Sequence, residues 1–175
     1  MSSWKEMIGF LEVRHVKSEF AATVKSLPDV FKVKTPSLKQ LEILNGAGYV
    51  ILYLNSWIID TVSFFNIGKV MKDLQVMETS LLIYQEYPFI SIHEIYFVFN
   101  QAKKGMYGSL YDRLDGSIIL TWFNLYWESR LNAAEFISVS QHTSTKERPG
   151  SSFSLSRAAQ QHARELEAFT QKHKV

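Results

Sequence analysis

The chain contains no cysteine, so it has neither a disulfide framework nor a thiolate metal centre and must hold itself together by packing. That composition fits a reducing compartment, and a cytoplasmic location is expected. It also lacks an excess of either charge: 19 basic side chains face 17 acidic ones, a net of +2. The imbalance is local. Residues 1–34 and 146–175 are basic and residues 35–145 are acidic on balance, which is compatible with nucleic acid touching the ends but is small enough for an ordinary solvated surface. The opening MSSWKEMIGF carries Glu6 and has no basic-then-apolar layout, so no secretory leader is expected.

Uninterrupted apolar runs are missing too. The one stretch of membrane length, AGYVILYLNSWIIDTVSFF (47–65), is broken by Asn55, Ser56, Asp60 and Ser63. Ser56, Asp60 and Ser63 share one helical face, and an unpartnered aspartate is costly in a bilayer, so a core helix with a narrow polar stripe is expected. Catalytic constellations are absent as well. His15, His93, His142, His162 and His173 are scattered, with solvent exposure expected for each, and no HExxH or Ser–His–Asp pattern occurs. Asp112 and Asp115 have spacing that could hold a cation, but an N-cap role for one and a place beside Arg113 for the other account for them more simply. No catalytic residue, cofactor or metal is assigned.

What remains is an apolar fraction of 46% against 21% charged, which describes a folded domain with a real core. The periodicity is helical throughout. Ser3 and Glu6 have capping-box spacing ahead of Val13, Val16, Phe20, Val24 and Leu27, predicting a helix, or two broken near Gly9, that ends before Pro28. DVFKVKT reads as a short extended piece. Thr35-Pro36-Ser37 starts a helix through Leu44, NGAG stops it, and the apolar helix follows to about Phe65. Asp73 is expected to cap the next helix, with Leu74, Met77, Leu81 and Tyr84 on one face and Tyr87-Pro88 at its end.

ISIHEI gives the clearest start signal: Ser91 and Glu94 as a capping box, Ile90 and Ile95 as a hydrophobic staple. That helix runs to Lys104. Asp115 caps a further helix whose inward stripe is Ile119, Trp122 and Tyr126. After Phe136 the Ser- and Thr-rich stretch with Pro-Gly reads as a linker. The fold expected is all-α: a helical-bundle domain over 1–137, a flexible linker over 138–154, and a loosely attached C-terminal helix over 155–175.

Between two apolar helices lies KKGMYGSLYDRLDG (103–116). Its Gly-x-x-Gly turn with flanking lysines has the form of a single-strand clamp, but no strands flank it and the Walker pattern is missing. Each residue also has a structural use. Gly105 closes a helix in the left-handed conformation, Lys103 and Lys104 suit the negative end of its dipole, and Gly108 allows a second reversal. Tyr107, Tyr111 and Leu114 can pack back, and Arg113 can bind helix-end carbonyls or a carboxylate such as Asp112 or Glu86. Phe123 and Trp127, one position round from the inward stripe, are read as buried, with an exposed patch beside Arg130 as the alternative.

The run WIID…FFNIGKVMKDLQ…YPF…FVFNQAKKGMYGSLYDRLDGSIILTWF…YWESR, within about 55–135, resembles a family of small helical proteins of unknown function from bacterial mobile elements and phages, especially those of gut bacteria. The matching positions include Trp57, Gly68, Tyr87, Gly105, Tyr107, Arg113, Trp122 and Arg130. Helix layout alone is similar to phage replication accessory proteins of the helicase-loader kind. The resemblance implies no activity and no catalytic residues. It favours a non-enzymatic adaptor in phage or mobile-element DNA replication that is expected to meet another protein through Lys103, Lys104, Tyr107, Arg113, Trp127 and Arg130. The alternative is a nucleic-acid-binding module using the basic residues around Gly105–Gly116, with Arg157, Arg164, Lys172 and Lys174 of the tail assisting. No membrane partner is expected.

Overall fold

Two serines whose side chains compete well with helical backbone, and so favour helix starts, open helices here and also pair with each other. Ser37 precedes the helix Leu38–Asn45 and Ser91 precedes Ile92–Lys103, and the two caps form an isolated antiparallel bridge. Across it Leu38 N donates to Ile90 O at 2.9 Å, Lys39 N to Pro88 O at 2.7 Å, and Ile92 N to Pro36 O at 3.1 Å. First-turn amides, which have no partner inside a helix, are thereby satisfied. Each cap is also closed from within: Ser37 N donates to Gln40 Oε1 at 2.9 Å and Ser91 N to Glu94 Oε2 at 2.8 Å.

The computed structural model describes residues 13–65, 68–69, 71–110 and 113–146. Among them are seven helices and no strand: α1 Val13–Thr23, α2 Leu27–Val30, α3 Leu38–Asn45, α4 Ala47–Phe64, α5 Asp73–Glu86, α6 Ile92–Lys103 and α7 Gly116–Lys146. The all-α expectation holds. No described helix is long and apolar enough to cross a membrane. The chain divides into two compact units, Met1–Ala133 and Ala134–Val175, and the packing that follows belongs to the first.

Helix α6 is the centre of that unit. Ile92, Ile95, Val98, Phe99 and Ala102 are buried, and so are His93, Glu94, Tyr96 and Phe97, so nearly every face is covered. It packs on α1, α2 and α4, while α4 also packs on α3 and α5. Aromatic rings join the layers. Trp57 of α4 stacks on Phe99 of α6 with centroids 6.0 Å apart, Phe99 meets Phe123 of α7 edge-on at 5.6 Å, and Phe123 meets Tyr87 at 5.7 Å. Such contacts add about 0.5–1.5 kcal/mol each beyond burial.

Helix α7 approaches α5 closely. A Cβ built on Gly116 would lie 2.3 Å from Thr79 Oγ1, so glycine is required there by space rather than by its backbone angle.

Several expectations are corrected. The first helix does end before Pro28, at Thr23, but Pro28 itself opens a new short helix, lying in the first turn of α2, where its missing N–H costs nothing; the start of DVFKVKT is therefore helical and not extended. Lys72, not Asp73, is the cap of α5, and its N donates to Gln75 Oε1 at 2.8 Å. Leu74, Met77 and Leu81 are exposed, while Val76, Thr79, Ser80 and Ile83 face inward. Leu74, Met77 and Leu81 do share a face, but the helix turns its small hydroxyl residues to its neighbours and leaves that apolar face outward.

Helix α7 continues to Lys146, so 138–146 is not linker; residues 147–154 and the terminal helix expected at 155–175 lie outside the described residues, as do Ser3 and Glu6.

Candidate functional site

The loop after α6 is a compact helix-to-helix corner. Gly105 has φ +74°, and its amide donates to Ala102 O at 2.9 Å while Met106 N reaches back to Gln101 O at 3.0 Å. That is the left-handed glycine closure of a helix end. Gly108, at φ +103°, makes the second reversal. The chain then meets the segment after α4: Lys69 and Arg113 form an isolated parallel bridge. Asp115 Oδ1 accepts from Ile118 N at 3.2 Å and from Ser117 Oγ at 2.6 Å, capping α7 as expected. Tyr111 and Asp112 lie outside the described residues.

The structure scatters five of the six candidate residues over three clusters and leaves Lys104 in none. Lys103 donates to Asp60 Oδ2 while Lys17 of α1 donates to Asp60 Oδ1. Burial raises the Asp60 carboxyl, but the two ammonium groups outweigh it and hold its pKa below the usual range. Burial lowers the Lys103 pKa, opposed by Asp60. Trp57, Tyr96 and Phe99 wall a cavity of about 290 Å³ beside this triad. Lys104 is exposed at the end of α6.

Arg130 belongs to the second cluster. Its Nε donates to Glu94 Oε1 at 2.5 Å, and the Tyr126 hydroxyl donates to the same oxygen at 2.5 Å. Glu94 is only 2% exposed, so a buried carboxylate ties the first turn of α6 to α7 through these two donors. The guanidinium also lies 4.9 Å from the Trp127 ring and 5.9 Å from that of Phe31. Burial first, then the Glu94 charge, pushes the Tyr126 phenol far up. Phe123 is buried and Trp127 half-buried, so no open aromatic patch forms there.

Arg113 and Tyr107 form the third. Arg113 Nε sits 3.4 Å from Asp115 Oδ2 with its side chain 68% exposed. Tyr107 stacks on Trp122 at 6.4 Å, and burial raises its phenol. It lines two grooves. One, of about 310 Å³, includes Arg113, Ile118 and Trp122; the other, of about 490 Å³, includes Met106, Leu125 and Glu128. Met106 is 68% exposed.

His93 corrects an expectation of exposure: it is 3% exposed. Its Nε2 donates to Val30 O at 3.1 Å and its Nδ1 pairs with Thr35 Oγ1 at 2.7 Å, where burial lowers the pKa and favours the neutral ring. Among the described residues no group of three His, Asp or Glu forms a metal ligand set. Sequence reasoning missed Lys17, Asp60 as a shared anchor, and Met106. Asp60 carried a signal, as the one charged residue in an eighteen-residue apolar helix.

No family model, curated protein or solved structure matches the chain.

Proposed function

We propose that the chain is a non-enzymatic adaptor that binds a protein partner through the 104–116 loop and the grooves on either side of it, in the setting of phage or mobile-element DNA replication that the resemblance implies. The observation that carries this is the combination at one corner of exposed Met106, exposed Arg113 and Tyr107 between two grooves. An apolar anchor beside an arginine suits a partner segment that pairs an apolar side chain with a carboxylate. Tracking of a phosphate backbone is less well supported. Lys103 and Arg130 each meet a carboxylate of their own chain, which leaves Lys104 and Arg113 of this group open to a phosphate backbone, too few charges to displace many counterions.

The test is affinity capture with the parent chain, Met106→Asp and Arg113→Ala, run beside a single-stranded oligonucleotide titration at two salt concentrations. A partner retained by the parent and lost by both variants is expected. Capture indifferent to both changes would overturn the adaptor, and oligonucleotide affinity that collapses as salt rises would replace it with the nucleic-acid module.

A further inference from the structure

Among the described residues, helix α4 buries one side and leaves the other uncovered. On the uncovered side Leu52, Ser56, Ile59 and Ser63 recur at spacings of four, three and four, which places them in one narrow stripe along the helix. Leu52 is 66% and Ile59 53% exposed, and both serines are exposed. The serine hydroxyls are already used: Ser56 Oγ donates to Leu52 O at 2.9 Å and Ser63 Oγ to Ile59 O at 2.7 Å. Covering them therefore strands no donor, and in packing terms they act as small residues. The helix has one charged residue, Asp60, and Lys17 and Lys103 neutralise it.

We infer that this stripe is a self-association surface, on which a second copy of the chain lays its own α4 antiparallel to the first. The order large, small, large, small is complementary to itself in that direction alone. With a two-fold axis between Ser56 and Ile59, Leu52 faces Ser63 of the second copy and Ile59 faces its Ser56, so each large side chain meets a small one and the axes can approach closely. In a parallel pairing Leu52 would meet Leu52 and Ile59 would meet Ile59, with the serines facing empty space. Charge selects the same occupant, because an uncharged stripe offers a strongly charged partner nothing to pair with. A stripe of four side chains on one helix covers less than the roughly 800 Å² that each partner of a standard interface buries. The dimer is therefore a weak, exchanging one, populated at high micromolar concentration. This surface is separate from the 104–116 loop, and the inference does not rest on the function proposed there.

Sedimentation across micromolar to near-millimolar concentration reads the association. The parent should climb from monomer towards dimer, and Ile59→Arg should weaken association at least tenfold with an unchanged helical circular dichroism spectrum. The absence of cysteine gives a clean background for the register. An oxidised mixture of Leu52→Cys and Ser63→Cys chains should yield a mixed disulfide dimer, with little dimer from either alone, since like positions stand roughly 16 Å apart along the axis. A parent that stays monomeric throughout, an Ile59→Arg chain that still dimerises, or Leu52→Cys chains that cross-link best with themselves would each overturn the inference.

Discussion

Replacing Arg130 with methionine keeps most of the side chain's apolar stem and removes its charge, leaving Glu94 enclosed without its cation. Glu94 would retain Ser91 N at 2.8 Å and the Tyr126 hydroxyl at 2.5 Å but lose the one cation it meets among the described residues. Breaking a fully buried pair costs about 3–5 kcal/mol. The Arg130 side chain is 29% exposed, so solvent screens part of this and about 2–3 kcal/mol remains. Loss of the guanidinium from the Trp127 face adds roughly 0.5 kcal/mol. A total near 3 kcal/mol corresponds to a drop of about 6–12 °C in Tm for a domain of this size.

Urea unfolding followed by tryptophan fluorescence measures it directly. The decisive comparison adds Glu94→Gln to Arg130→Met. Glutamine can still accept at the helix cap and carries no charge, so the double variant should be about 1–2 kcal/mol more stable than Arg130→Met alone. Two results refute the reasoning: an Arg130→Met stability within about 0.5 kcal/mol of the parent, or a double variant less stable than the single one.

Gly116→Ala should destabilise by about 1–3 kcal/mol through overpacking against Thr79, and Thr79→Ala in the same chain should restore most of the loss in thermal unfolding; failure of that rescue would show that the contact is not the cause. His93 has a folded pKa lowered by burial, so the unfolded chain binds the proton first. Stability should therefore fall as pH drops from about 6.5 towards the lower folded value, and His93→Gln should flatten that segment of the denaturation-midpoint profile.

Much of the fold was legible because its signals are local. The Ser91–Glu94 box, the Ile90–Ile95 staple and the Gly105 closure act within a turn of their own positions, and all three stand where the spacing put them. The inward stripe Ile119, Trp122 and Tyr126 was equally clear. The misreadings share a cause. Apolar periodicity names the inner face only when large residues are the buried ones, and α5 buries Thr79 and Ser80 beside α4 and Gly116 while exposing Leu74 and Met77. The candidate site was less legible. Lys103 and Arg130 were read as residues that meet a partner or a phosphate, whereas each contacts a carboxylate of its own chain, Asp60 and Glu94, more than thirty positions away, and nothing in a local window states which carboxylate a cation will meet. His93 looked exposed because a polar first turn is usually wet, whereas this one is roofed by Val30 and Thr35.

The bridge between Ser37 and Ser91 makes the segment between them a closed excursion, fastened at its base by main-chain bonds of the kind that sheets use. Most helical domains assemble from neighbours in sequence and fold quickly; here two helix starts wait for each other, so the entropy of closing the excursion must be met before either cap is complete. Lengthening the turn between α4 and α5 should then slow refolding while leaving the rate of unfolding nearly unchanged.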